Sequence, residues 1–111
     1  MTRAIVCSVS GAPRVREIVA SAATLSLLVG GRLGWSRFAP GIVAYHLDEF
    51  AGAPANFLDR RTGAVFRGPV VFLGLDGADE RSLTDEEIEL VAAAILPVYD
   101  AAPVNARGGR S

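Results

Sequence analysis

The chain has no lysine and no glutamine, and only one cysteine, one histidine and one tryptophan among 111 residues. A single cysteine excludes an internal disulfide framework and a cysteine-built structural zinc site. Long apolar runs are also missing. The longest uncharged one, 18–31, falls short of the ~20 residues that a membrane-spanning helix needs, and it contains Ser21, Thr24, Ser26 and two glycines. No basic N-terminal region with a small-residue cleavage site precedes it, so no signal peptide is read and a cytoplasmic location is expected. Net charge is scarce as well. Eleven Arg stand against six Asp and six Glu, a total of −1, which argues against a nucleic-acid coat and for no membrane partner. Arg without Lys, beside eighteen Ala, has the look of a GC-rich genome, so the preference for Arg carries less chemical information than usual.

Half of the residues are hydrophobic, which excludes a disordered chain. The length fits one domain, expected over 1–97, with a loose tail over 98–111 that holds Pro103 and Gly108-Gly109. Segment 4–9 is apolar and rich in β-branched residues, and Ser10-Gly11-Ala12-Pro13 is turn chemistry, so 14–19 reads as the returning strand. Arg14 and Arg16 then share one strand face and Val15 takes the other. Segment 21–29 reads as a short helix stopped by Gly30-Gly31. Segments 32–38 and 41–47 flank Ala39-Pro40-Gly41 as a hairpin, whereas 56–63 reads as irregular and polar. A short strand is expected over 64–67. Segment 69–75 is apolar at consecutive positions, the pattern of a central strand covered on both sides. An acidic loop spans 76–82. Thr84 and Glu87 fit a capping box, and Ile88, Val91, Ala92, Ile95 and Leu96 form one stripe, so a helix is expected over 84–96. The fold class expected is α+β: about five strands in an antiparallel or mixed sheet, with two helices (about 21–29 and 84–96) on one face. A chain this small with that layout leaves an apolar sheet face bare, so a homo-oligomer is expected.

The small net charge hides a division. Residues 1–67 carry eight Arg against four acids, a net +4, and 68–111 carry three Arg against eight acids, a net −5. A solvated acidic helix with scattered surface Arg accounts for this, and so does a set of guanidiniums that converge on an anion.

Catalytic constellations are weak. His46 shares a strand face with Ile42 and Ala44 and reads as a hydrogen-bonded core histidine. Asp48 lies two residues on, but no nucleophile elbow accompanies it. Cys7 sits in an apolar strand and reads as a core residue. Asp76-Gly77-Ala78-Asp79-Glu80 lacks the alternating ligand spacing of a calcium loop, and Gly30-Gly31 belongs to neither a dinucleotide nor a phosphate-loop motif. Arg107-Gly108-Gly109-Arg110 is a single unrepeated step. No catalytic residue, metal ligand or cofactor is therefore assigned. Trp35, Phe38, Tyr45 and Phe50 lie near Arg32 and Arg37, a combination that packs a core or else stacks a base and holds a phosphate. The polar stretch Asn56, Arg60, Arg61 and Thr62 is the one least demanded by a core and ranks first as a site. Together with Arg32, Arg37 and Arg67 it makes the candidate ligand-binding set.

The order of features resembles a small domain family of unknown function found in phages, plasmids and conjugative elements of Gram-positive bacteria, actinobacteria included. The resemblance covers about residues 14–96. It rests on Val29-Gly30-Gly31 after a short helix, then a hairpin, then Asn56 ahead of the stretch to Thr62. Gly68-Pro69-Val70-Val71-Phe72-Leu73-Gly74 and Leu83-Thr84-Asp85-Glu86-Glu87 complete it. Arg32 and Arg60-Arg61 depart from the pattern. The resemblance implies a mobile-element accessory protein and brings no agreed activity. Three readings follow: a non-enzymatic protein that binds a small anionic ligand, such as a nucleotide immune signal that it sequesters; a module that inhibits a host protein through its acidic 76–89 face; and an uncharacterised enzyme. The first predicts a pocket of Arg and aromatic residues at a subunit interface.

Overall fold

The computed structural model describes residues 1–49 and 52–98. The chain runs β1 (Thr2–Cys7), β2 (Arg14–Ile18), α1 (Ala22–Val29), β3 (Leu33–Ala39), β4 (Ile42–Leu47), β5 (Ala55–Asp59), β6 (Val65–Arg67), β7 (Val70–Asp76), β8 (Asp79–Arg81), α2 (Asp85–Ala94) and β9 (Ile95–Pro97). It is an α+β fold in which every strand pairing is antiparallel. The main sheet has the order β2-β1-β7-β4-β3, with β8 paired to the end of β7, and a second sheet has the order β6-β5-β9. None of its helices is long and apolar enough to cross a membrane, among the described residues.

The composition of β7 dictates the layering. Val70, Val71, Phe72 and Leu73 are all fully buried, and alternate side chains leave a strand on opposite faces. Val70 and Phe72 join Ile5, Cys7, Ile42 and Ala44 on one face, beneath Val91 and Ala94 of α2 and Phe57 and Phe66 of the second sheet. Val71 and Leu73 join Val6, Val43 and Tyr45 on the other, beneath Leu25 and Val29 of α1. The two helices therefore lie on opposite faces, not on one as the sequence pattern suggests. A strand apolar at consecutive positions needs cover on both sides, and each helix has one apolar stripe to give. Each face of the sheet thus carries one helix, and the face left bare in the one-sided layout is covered in part.

Three segments differ from expectation for identifiable reasons. The stretch 56–63 begins inside β5, because Phe57 is buried against Phe66 and Phe72 with ring centroids at 4.8 and 5.9 Å. The second helix ends at Ala94 rather than 96. Ile95 and Leu96 pair with Asp59 and Leu58, the Arg60 N–H takes the Ala94 carbonyl at 2.8 Å, and Val98 N–H bonds to the Asn56 carbonyl. The acidic loop 76–82 contains the hairpin of β7 and β8, turning at Gly77 with φ 63°. Phe50 and the expected tail beyond Val98 lie outside the described residues.

Local chemistry fixes the helix ends. Ser21 accepts a bond from Thr24 N–H at 3.2 Å, and α1 stops at Gly30 in the left-handed region, φ 89°. The capping box of α2 is complete: Glu87 N–H donates to Thr84 Oγ1 at 3.1 Å and Thr84 N–H donates to Glu87 Oε1 at 3.0 Å. Arg81 then clamps the box to the sheet. It lies across Gly74, where a Cβ would sit 2.2 Å from its Nη1, and donates to both Glu87 oxygens at 2.7 and 2.9 Å and to Asp76 at 2.9 Å.

The Arg81 bonds, against the opposing effect of burial, hold the Glu87 carboxyl at about 2, well below its ordinary 4.5. A depressed folded-state value stabilises the fold fully above about 4.5 and loses that contribution as pH falls from there towards 2. Glu87→Gln is expected to flatten the urea midpoint across that window and to lower stability at neutral pH by about 1–2 kcal/mol. An acid-side slope equal to that of the parent protein would remove Glu87 as its source.

Candidate functional site

The seven candidate ligand-binding residues do not meet in one place. Arg37 is exposed on the α1 side of β3, since it pairs with Val43, which points towards α1. Arg61 reaches the opposite side. Its guanidinium lies 4.0 Å over the Phe38 ring, donates to the Phe38 carbonyl at 2.5 Å and forks onto Asp59 at 2.9 and 3.1 Å. Burial raises the Asp59 carboxyl, but the Arg61 bonds outweigh it and the net direction is down. Asn56 is buried and donates to the Cys7 and Gly68 carbonyls at 3.0 and 2.9 Å, tying the second sheet to the first. Thr62 accepts from Ala64 N–H in the β5–β6 turn, and Arg67 donates to the Ala53 carbonyl at 3.1 Å. Arg60 is exposed in that turn. Arg32 is paired with Asp48 at 3.3 Å, in a depression that Glu49 also lines. The stretch ranked first by sequence is therefore occupied largely with holding the two sheets together.

A different grouping forms around Arg37. On the α1 side, Trp35 stands across from Tyr45 and Arg37 across from Val43. With Leu75, Gly77, Ala78 and Glu80 they line a groove of about 360 Å³. A second depression of about 230 Å³ continues on the other side of Arg37 and Leu75, towards Gly41 and Ile42. Trp35 is 66% exposed, a large figure for an indole, and Arg37 is exposed beside it. The Tyr45 hydroxyl donates to Glu80 Oε2, and burial together with this bond pushes the phenol well above its ordinary range, so it stays protonated. The groove thus offers an aromatic plane, a guanidinium and a carboxylate on an apolar floor. Phe38, within the β-bulge between Arg37 and Ala39, points into the core instead. Sequence spacing brings Trp35 and Arg37 to one strand face. Glu80 and Leu75 join them only through the register of β4, β7 and β8, which no local pattern encodes.

The other reactive groups are accounted for structurally. His46 is buried, its Nδ1 is 2.7 Å from the Leu47 carbonyl and its Nε2 is 2.8 Å from Ser36 Oγ. A carbonyl only accepts, so the Nδ1–H donates that bond. Cys7 is buried and its thiol is pushed up to about 12 by burial, which leaves it protonated. The acidic 76–89 segment is partly engaged in pairs within the chain: Asp76 and Glu87 bind Arg81, Asp85 lies 3.1 Å from Arg3, and Glu80 accepts from Tyr45, while Asp76, Glu80 and Asp85 stay exposed. Among the described residues, no group of three or more His, Cys, Asp or Glu is placed to hold a metal ion.

None of the family models, characterised proteins or solved structures compared with the chain matches it. The reading of the site therefore rests on its geometry. The fold gives the Arg61 guanidinium partners within the chain, Asp59 and the Phe38 carbonyl. Arg61→Ala removes charged bonds to Asp59 and Phe38 and is expected to cost about 2–3 kcal/mol in urea denaturation. A stability within 0.5 kcal/mol of the parent, roughly the range of a neutral surface change, would return Arg61 to the list of ligand contacts.

Proposed function

We propose that the protein binds a small anionic ligand with a planar aromatic part, of the nucleotide class, in the Trp35–Arg37 groove, and performs no chemistry on it. The observation that carries this reading is the exposed indole of Trp35 two residues from the exposed guanidinium of Arg37, on one face of β3 and at the rim of a groove. Indole faces stack on bases, and guanidinium holds phosphate bidentately. Glu80 opposes them as an acceptor suited to the exocyclic amine of a base. Its charge steers an anionic group away from it and towards Arg37. Sequestration of a nucleotide immune signal by a mobile-element accessory protein is the biological form of this reading. It draws on the family resemblance as well as on the groove.

Trp35 is the only tryptophan in the chain, so its fluorescence reports on the groove directly. Titration with adenine and guanine mono-, di- and triphosphates and with cyclic dinucleotides is expected to give saturable quenching by at least one of them. Arg37→Ala is expected to weaken that binding tenfold or more, since a charged hydrogen bond contributes about 1.5–3 kcal/mol. Absence of quenching by every nucleotide at about millimolar concentration, the ~4 kcal/mol level of binding, sinks the reading. Unchanged affinity in Arg37→Ala sinks the site.

A further inference from the structure

The main sheet ends in two strands, β2 and β3, each paired on one side only among the described residues. The two edges differ in chemistry. β2 has the sequence Arg14-Val15-Arg16-Glu17-Ile18 and is exposed over its first four residues, the dense charge that blunts an edge against pairing. β3 carries a single charge, Arg37, and an exposed indole.

The backbone of β3 also faces outward in a regular way. Asp48 N–H bonds to the Arg32 carbonyl at 2.8 Å, and the same register continues through Gly34–His46 and Ser36–Ala44. In an antiparallel ladder these alternate pairs exchange hydrogen bonds, so Leu33, Trp35 and Arg37 turn their N–H and C=O groups to the open side. The β-bulge after Arg37 ends this regularity, and Arg61 occupies the Phe38 carbonyl within it. The usable edge is therefore 33–37, and its midpoint is Trp35.

We infer that a second copy of this chain pairs antiparallel with β3 about a two-fold axis at Trp35. Trp35 then lies opposite the partner's Trp35, and Leu33 opposite the partner's Arg37. Every outward N–H and C=O of the edge gains a partner, and the main sheet continues through the axis. Both indoles stand on the α1 side, where the guanidinium of Arg37 reaches diagonally to the partner's Trp35 in a cation–π contact. Within 33–37 no like charges stand opposite one another, because each Arg37 falls across an aliphatic side chain. Self-pairing of β2 fails this condition: centred on Val15 or on Arg16, it sets guanidiniums opposite one another. The dimer does not rest on the ligand reading. It does set the two grooves side by side with the indoles between them.

Sedimentation of the full chain, without nucleotide, is expected to show a monomer–dimer equilibrium between about 1 and 100 µM, the affinity range of a modest interface. Trp35 emission shifts to shorter wavelength as the dimer forms. Trp35→Glu places like charges on the axis and is expected to give a monomer throughout that range with an unchanged far-ultraviolet circular dichroism spectrum. Trp35→Cys, under mild oxidation, is expected to yield a disulfide-linked dimer on a non-reducing gel. The parent protein, whose Cys7 is buried, yields none. A parent protein that stays monomeric at about 100 µM, a dimer that survives Trp35→Glu, or a Trp35→Cys protein that does not cross-link overturns the inference. A monomer whose fluorescence nucleotides still quench overturns the dimer and leaves the ligand site standing, so the two failures are distinguishable.

Discussion

Val70 to Leu73 bury four consecutive side chains, two on each face of β7, and this double burial sets the arrangement of everything else. A strand of that kind cannot sit at an edge or face water on either side. It takes β1 and β4 as neighbours and draws one helix onto each face. The α2 face needs more cover than a ten-residue helix provides, and Phe57 and Phe66 of the second sheet supply it by stacking at 4.8 Å. The α1 face has no such supplement. An eight-residue helix with Leu25 and Val29 buried covers part of that face, against β7, β4 and β3, and the corner at β3, β4 and β8 stays open as the groove. The candidate site is thus the place where the cover of a two-faced sheet runs out.

Polarity misleads in the β5–β6 segment for a related reason. A second sheet packed on the first must satisfy backbone groups where the two meet, and an unsatisfied buried polar group costs about 1–3 kcal/mol. Asn56 bonds to the Cys7 and Gly68 carbonyls, and Arg61 bonds to the Phe38 carbonyl; both answer that demand. Asp59, almost fully buried, holds the Arg61 guanidinium in position to do it. Side chains that a core composed only of strands and helices would not require become necessary once two sheets are joined.

Much of the architecture is legible in the sequence because it is encoded locally. The double apolarity of 70–73, the Thr84–Glu87 box, the Gly30 stop and the Pro40-Gly41 turn each depend on residues within a few positions of one another. What the sequence conceals depends on distant partners. Ile95 and Leu96 continue the helical stripe, yet they leave the helix because Asp59 and Leu58 offer backbone partners. Which helix takes which face is settled by connection and packing, not by either stripe. For the groove, Trp35 and Arg37 are visible as an i, i+2 pair, whereas Glu80 arrives through three strand registers.

The bulge between Arg37 and Ala39 links the groove to the edge of the sheet. Without it Phe38 and Ala39 would fall on opposite faces. With it both enter the aromatic core, and the regular part of β3 closes at Arg37. One irregularity therefore separates a buried half of the strand, held by Arg61 and the phenylalanines, from an exposed half that carries one indole and one guanidinium. A charged residue in place of Trp35 would blunt that edge at little cost to the core, because the indole is two-thirds in solvent. A large apolar ring two-thirds in water at the centre of a sheet edge adds little to the folding of the monomer. The two proposed contacts, a base in the groove and a second copy of the chain across the edge, would each cover part of that exposed ring.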